Sequence, residues 1–316
     1  MEVEQIIGRI RIMMKSILAT STLTVYKRAW ALFKHSMEFL SLNHISMESF
    51  PIQVNHVLFY LGFMQYKGFA PATLTTYVSA ISYIHKILEV QDPTSSFLVQ
   101  KLLASCNKLN PRSDSRLPIT FLILHRLMEA IKHTSLSIYH MSLIRTMYIM
   151  GFFGLLRIGE MTIGQNKRVV IYKQQVEIND GYVKLKISHF KHNKSLKPVE
   201  LILPAQVDKS ICPVENLRKY LILRGNHSGP LFCFKDGTPV SRQFFTNQLK
   251  INISFCGLNP HLYQSHSLRI GGASYYAELG MSDSQIRLIG RWNSDAFKRY
   301  IRCQKLMTAV KKSTNQ

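Results

Sequence analysis

The sequence predicts a mainly α-helical chain with one small antiparallel β-sheet, divided into two domains. Three observations carry this. Apolar residues recur at helical spacing throughout the first third, and nothing there alternates as a strand does. The run Asn107-Lys-Leu-Asn-Pro-Arg-Ser-Asp-Ser-Arg-Leu-Pro118, with two prolines, two serines and mixed charge, interrupts the pattern as an exposed linker would. Beyond it, three short runs between 167 and 203 have strand character, and Asp180-Gly181 is a hairpin turn between the first two.

Taken in order, Ile6, Ile7, Ile10, Met13, Met14, Ile17 and Leu18 mark a first helix, and Trp30, Phe33, Met37 and Leu40 a second over 24–42. A third covers 54–66. Pro71 sits where a first-turn proline is tolerated and opens a fourth over 73–88; a fifth covers 97–109. These helices form a domain spanning 1–110, followed by a linker at 111–118 and a second domain at 119–316. In that second domain, helices are expected over 120–133 and 137–156, and strands over 167–178, 182–189 and 199–203. From Pro213 the chain turns mainly helical again, apart from a short apolar piece at 231–234 before the turn Asp236-Gly237.

The chain carries 40 Lys+Arg against 18 Asp+Glu in 316 residues, a net charge of +22, with 46% hydrophobic residues. So large a charge on a chain able to bury a core belongs to a folded surface that meets a polyanion, nucleic acid before others. It is unevenly shared: residues 1–118 hold +5 and residues 119–316 hold +17. No run reaches the roughly 18–20 apolar residues that span a bilayer; charge alone does not separate DNA from RNA or an anionic membrane surface, and the partner expected is nucleic acid with no membrane. Glu2 and Glu4 precede the first apolar positions, unlike a signal peptide. Cys106, Cys212, Cys233, Cys256 and Cys303 form no CxxC pair, which fits a reducing compartment and neither a disulfide framework nor a zinc finger.

Four segments can carry chemistry. In Gly151-Phe-Phe-Gly-Leu-Leu-Arg-Ile-Gly-Glu-Met161, Arg157 ends an apolar helix and needs a partner, which Glu160 can be; an ordinary structural ion pair fits as well. Lys184, Lys186, Lys191, Lys194 and Lys197 crowd the second strand and the turn after it. Lys191 is placed to hand a proton to a leaving oxygen, with Lys194 a competitor and a merely solvated basic loop the plainer reading. In Ser265-His-Ser-Leu-Arg-Ile-Gly-Gly-Ala-Ser274, His266 and Arg269 share a helix face, joining a proton-trading imidazole to a fork suited to phosphate oxygens. Gly271 and Gly272 permit close approach of another backbone. Finally, Leu288-Ile-Gly-Arg-Trp-Asn-Ser-Asp-Ala-Phe-Lys-Arg-Tyr-Ile-Arg302 holds Trp292 and Tyr300, either a core face or a nucleophile and its support. A free phenol ionises near pH ~10, so a tyrosine nucleophile needs neighbouring cations.

Their order, Arg, Lys on a hairpin, His-x-x-Arg, Trp and then Tyr, resembles the tyrosine recombinases (phage integrase family) across roughly 22–302. The run from Ser265 to Arg302 looks most like eukaryotic mobile-element members of the Crypton or DIRS kind. The resemblance implies a helical core-binding domain and an α+β catalytic domain that clamp double-stranded DNA. It also implies strand exchange through a 3′-phosphotyrosyl intermediate, a homotetramer on two DNA sites, and a location in the nucleus if the source is eukaryotic, otherwise in the cytoplasm or nucleoid. Tyr300 would be the nucleophile, Arg157 and Arg269 the ligands of the non-bridging oxygens, Lys191 the acid for the leaving 5′ oxygen, and His266 the acid–base partner. Trp292 would buttress the nucleophile or donate its N–H, and Glu160 would support Arg157 or His266. No metal, nucleotide or other cofactor is implied, and no small-molecule substrate; the sequence has no GxxxxGK[ST] run. One departure stands out: Trp292 lies eight residues before Tyr300, where nine is the commoner spacing, and nine back is Arg291. Leu306, Met307 and Val310 are candidate docking residues, for a neighbouring copy or for their own domain. A type IB topoisomerase and a domesticated DNA-binding protein without catalysis are the alternative functions.

Overall fold

The structure is a computed structural model, and it describes residues 2–42, 50–111, 114–164, 170–188 and 197–302. The chain divides into two units, Met1–Asp114 and Ser115–Gln316.

The elements of the first unit, among the described residues, are all helical: α1 (Glu2–Ser16), α2 (Thr20–Leu42), α3 (Val54–Tyr66), α4 (Pro71–Ile87) and α5 (Phe97–Leu109), with a 3₁₀ turn at Pro93–Ser95. Pro71 occupies the first turn of α4, where its missing N–H has no helical partner to lose. Phe33, Val57, Tyr60, Met64, Leu74, Ile81, Val99 and Leu103 meet in one core from α2 to α5. Polar atoms inside it are matched individually. The Tyr60 hydroxyl donates to the Ala29 carbonyl at 3.0 Å. His85 accepts from the Ile52 N–H at 3.2 Å and bonds the Ile81 carbonyl at 2.8 Å. In α1 the apolar Ile6, Ile12 and Met13 are exposed.

The second unit mixes helices and strands. α6 (Phe121–Thr134) and α7 (Ile138–Phe153) start at Thr120 and Ser137, whose hydroxyls accept from Ile123 N–H and His140 N–H. The α7 residues from Thr146 to Phe153 are buried on every face, as an all-round apolar helix must be. After the short α8 (Ile158–Met161) come β1 (Val176–Ile178), β2 (Tyr182–Ile187) and β3 (Val199–Pro204), an antiparallel sheet in the order β1-β2-β3. Val176 pairs with Leu185 and Lys184 with Ile202. The first strand is shorter than the sequence predicts. Lys173–Gln175 forms a 3₁₀ turn, and Ile171 leaves the sheet to bond the Glu160 carbonyl and the Leu231 N–H. The predicted hairpin turn forms with help from Asn179, whose Oδ1 accepts from the N–H groups of Gly181 and Tyr182. Among the described residues the architecture is therefore mainly α with a small antiparallel sheet.

Helices α9 (Pro213–Arg224), α10 (Arg242–Phe255), α11 (Ser265–Glu278) and α12 (Asp283–Gly290) and a 3₁₀ segment, Asp295–Tyr300, complete the unit. Its main core joins α6, α7, the sheet, α9, α10 and Leu268 of α11. A second cluster, Leu155, Ala273, Ile286 and Phe297, packs with Trp292, Tyr300 and Ile301. That second cluster holds the C-terminal segments against the end of α7, and the polar site lies beside it.

Candidate active site

The site is built where α11 crosses the end of α7. A Cβ on Gly271 would collide with the Ile119 carbonyl oxygen, and one on Gly272 with the Phe152 carbonyl oxygen. The paired glycines thus let α11 lie against bare backbone. Ile119 N–H donates to the Ser267 carbonyl at 3.0 Å and fixes that approach. Crossing so closely, α11 delivers His266 and Arg269 to the turn after Phe153.

That turn is rich in carbonyls that the helix leaves without partners. The Tyr276 hydroxyl donates to Phe153 O at 2.7 Å. Arg291 reaches Gly154 O and Leu155 O at 3.4 and 3.2 Å. Arg269 donates to the carbonyls of Leu155 and Gly290 through its two terminal nitrogens. Cations are favoured at a helix C-terminus, and here two buried guanidinium groups gather at one.

Arg157 caps α8, and the expected partnership with Glu160 is present. Glu160 Oε2 accepts from the Arg157 main-chain N–H at 2.9 Å, and Oε1 from Arg157 Nη1 at 3.2 Å. Glu160 does a second thing that spacing does not reveal: its Oε2 also accepts from Arg291 Nη2 at 2.9 Å. The Arg157 side chain keeps 21% of its exposure, whereas Arg291 keeps 1%.

Tyr300 ends the 3₁₀ segment, half-buried. Its hydroxyl lies 2.6 Å from His266 Nε2. With the imidazole proton on Nδ1, the phenol donates and Nε2 is set to take its proton. Ser274 of α11 anchors the main chain here: its Oγ lies 3.2 Å from the Tyr300 carbonyl and accepts from the Arg302 N–H at 2.8 Å. The Trp292 ring lies between partners, 5.1 Å from the Tyr300 ring and 4.0 Å from the Arg269 guanidinium carbon. Gly290 makes room for it, since a Cβ there would run into the indole.

The electrostatics are lopsided, with Arg157, Arg269 and Arg291 sharing one carboxylate. Burial first, then the like charges of Arg157 and Arg291, push Arg269 well below the usual arginine range, while Glu160 and Tyr300 pull the other way. Burial also lowers Arg291, against the attraction of Glu160. A guanidinium does not give up its proton in a protein. The downward push combines burial with like-charge repulsion, and an anion beside Arg269 would offset the repulsion. Arg269 Nε and Arg291 Nε are moreover buried without a hydrogen-bond partner. Such a seat suits a phosphodiester. Arg269 does not present an open fork, because both terminal nitrogens are held by carbonyls and the residue is 1% exposed.

Lys191 and Lys194 lie outside the described residues, as do Leu306, Met307 and Val310. Lys184 and Lys186 are engaged with Glu177 at 2.8 and 2.7 Å. Among the described residues no three His, Cys, Asp or Glu side chains gather to hold a metal ion, and no helix is long and apolar enough to cross a membrane.

No protein-family model matches the sequence. No curated protein matches it either. Solved structures do match in shape. The Tn1549 transposon integrase in complex with transposon right-end DNA superposes with a TM-score of 0.62 over 96% of this chain and 96% of that one, at 13% identity. The XerH site-specific recombinase bound to palindromic difH substrate, a post-cleavage complex, gives 0.61 over 91% and 78%, at 17% identity. A lambda integrase tetramer bound to a Holliday junction gives 0.60 over 95% and 77%, at 15% identity. The chain has the fold of the tyrosine recombinases. In this tyrosine-recombinase fold, the residues singled out from the sequence and described in the structure form two linked chains of contacts: Arg157–Glu160, and His266–Tyr300–Trp292–Arg269. Arg291 joins the first chain through Glu160 and meets the second at the Leu155 carbonyl. Sequence reading gave it no role, and the one sign of it was its place nine residues before Tyr300.

Proposed function

We propose that the protein is a DNA breaking-rejoining enzyme, a site-specific tyrosine recombinase of the Crypton or DIRS kind, acting in the nucleus on double-stranded DNA. The observation that carries this is the 2.6 Å contact between the Tyr300 hydroxyl and His266 Nε2, beside three guanidinium groups that share a single carboxylate. Nothing in simple DNA binding calls for a phenol so paired next to so unbalanced a charge.

In the proposed reaction Tyr300 Oη attacks the scissile phosphorus while His266 Nε2 takes the phenolic proton. A P–O bond to Tyr300 forms and the P–O5′ bond breaks. Lys191, or Lys194 in its place, protonates the departing 5′ oxygen. Arg157 receives a non-bridging oxygen directly. Arg269 contributes its charge from beneath Trp292, and reaches an oxygen by exchanging one of its carbonyl bonds for it. Fixed cations stabilise the pentacoordinate state more than the ground state, because charge builds on those oxygens. The phosphotyrosyl bond conserves the energy of the phosphodiester, so attack by another 5′ hydroxyl reverses the step with a new strand. The lambda integrase neighbour is a tetramer on a Holliday junction, and we extend that assembly to this chain. The domain expected over residues 1–110 serves as the core-binding domain, and residues 119–316 as the catalytic domain.

The test is covalent capture. Wild-type protein is mixed with a nicked duplex library carrying a randomised segment, and adducts that survive denaturation are sequenced. A site-enriched adduct that vanishes in Tyr300→Phe is the expected result. Binding without any adduct would indicate a domesticated DNA-binding protein. Site-independent relaxation of supercoiled plasmid would indicate a topoisomerase.

A further inference from the structure

Arg291 has no part in the reaction above, and its setting is unusual. It ends α12 in the left-handed region, at φ 55°. Helices commonly reserve that position for Gly or Asn, since a Cβ there meets the following carbonyl. The long side chain is buried rather than solvated. Nη1 donates to the carbonyls of Ile289 at 3.0 Å and Gly154 at 3.4 Å, and Nη2 to Leu155 O at 3.2 Å and Glu160 Oε2 at 2.9 Å. The contacts then close on themselves. Glu160 holds the Arg157 guanidinium at 3.2 Å, and Arg157 Nη2 donates back to the Arg291 carbonyl at 3.4 Å. Side chain, carboxylate, side chain and main chain make one loop joining the start of α8 to the end of α12.

We infer that Arg291 is a positioning residue: its buried ion pair fixes Glu160, and Glu160 in turn holds the Arg157 guanidinium in the pose that receives a phosphate oxygen. This rests on the proposed role of Arg157. A lysine would keep the charge but not the fork, because its three N–H donors cannot cover a carboxylate and three carbonyls at once. Trp292, the next residue, faces Tyr300 and Arg269 instead. Consecutive residues 291 and 292 thereby tie the Arg157 half of the site to the Tyr300 half.

The test titrates the full-length protein with orthovanadate, a phosphate mimic, and takes the part of the binding lost in Arg157→Met as the signal. Thermal midpoints are measured separately without vanadate. Arg291→Met is expected to weaken the signal roughly tenfold, a coupling ordinary for residues of one hydrogen-bonded network. Arg291→Lys, the variant more certain to fold, is expected to recover part of it. Adding Arg291→Lys to Glu160→Gln is expected to cost nothing beyond Glu160→Gln alone. If Arg291→Lys lowers the thermal midpoint yet binds vanadate as wild type does, Arg291 is a structural residue and the inference fails. Additive losses in the double variant would sink the route through Glu160. Absence of any Arg157-dependent signal in wild type would overturn the inference together with the role of Arg157. The adduct assay reports on the recombinase reading independently of all three results.

Discussion

The core of the first unit and the candidate site of the second hold their buried polar side chains on opposite terms. In the first, Tyr60 and His85 meet main-chain partners one for one, at 2.8–3.2 Å, with no charge to balance. In the second, Arg157 and Arg291 hold one carboxylate between them with Arg269 nearby, and the buried Nε atoms of Arg269 and Arg291 have no partner. The first arrangement is what folding alone asks of a buried polar atom. The second costs stability unless something else completes it, since buried ions repay their desolvation only when paired and fully hydrogen-bonded. On the proposed function, the surplus of cations beside a histidine-bound phenol is where an anion would complete the arrangement.

The largest effect tests whether that surplus serves chemistry. Tyr300→Phe keeps the ring against His266 and Trp292 and removes the hydroxyl alone. Covalent adduct on a captured site should drop to background, while DNA affinity stays within about twofold, because phosphate contacts elsewhere carry the affinity. A parallel loss of binding would make Tyr300 a packing residue and erase the contrast between the units. Next comes Glu160→Ala, which strands Arg291 in the interior. Breaking such a buried pair costs about 3–5 kcal/mol, read by urea unfolding, and millimolar phosphate should restore part of the loss. Destabilisation that phosphate does not touch would mean the cluster is not an anion seat.

How much of this was legible beforehand depends on how far apart the partners lie in sequence. Arg157 and Glu160 are one helical turn apart, and their pairing was readable from spacing. The apolar run through α7 was readable as a buried helix because nothing polar interrupts it. The first strand was overdrawn: its apolar residues suited a sheet, but Lys173–Gln175 turns and Ile171 bonds Glu160 and Leu231 instead. Tyr300 and His266 are 34 residues apart, so only the resemblance to a family, and no local pattern, pointed at their contact. Arg291 finds Glu160 across 131 residues. Its place nine residues before Tyr300 marks it in the sequence, but no periodicity points from there to Glu160.

A smaller effect probes the other side of the comparison. His85→Leu removes the acceptor for the Ile52 N–H and leaves that donor buried. The expected cost is about 1–3 kcal/mol, with phosphate stabilisation and adduct formation unchanged. If this variant altered the response to phosphate, the first unit would share in the anion seat and the division drawn here would be wrong.

The smallest effect comes from a third kind of pairing, on the surface. Glu177 sits opposite Lys184 in the β1–β2 register, with Lys186 beside it. Hydrogen bonds from Lys184 and Lys186 hold its carboxyl down at about 2. The sign follows from linkage: a carboxyl depressed in the folded state adds stability above its ordinary range, and that contribution fades as pH falls through about 2. The group is solvent-exposed, so salt screens the attraction and little of it reaches the unfolding free energy. Carbon-detected NMR titration should find the Glu177 midpoint far below an ordinary glutamate at low salt and climbing toward it in 1 M salt. A midpoint indifferent to salt would mean that this pair is shielded as the Glu160 pair is. Charge balance, and not exposure, would then be the only difference left between the surface and the site.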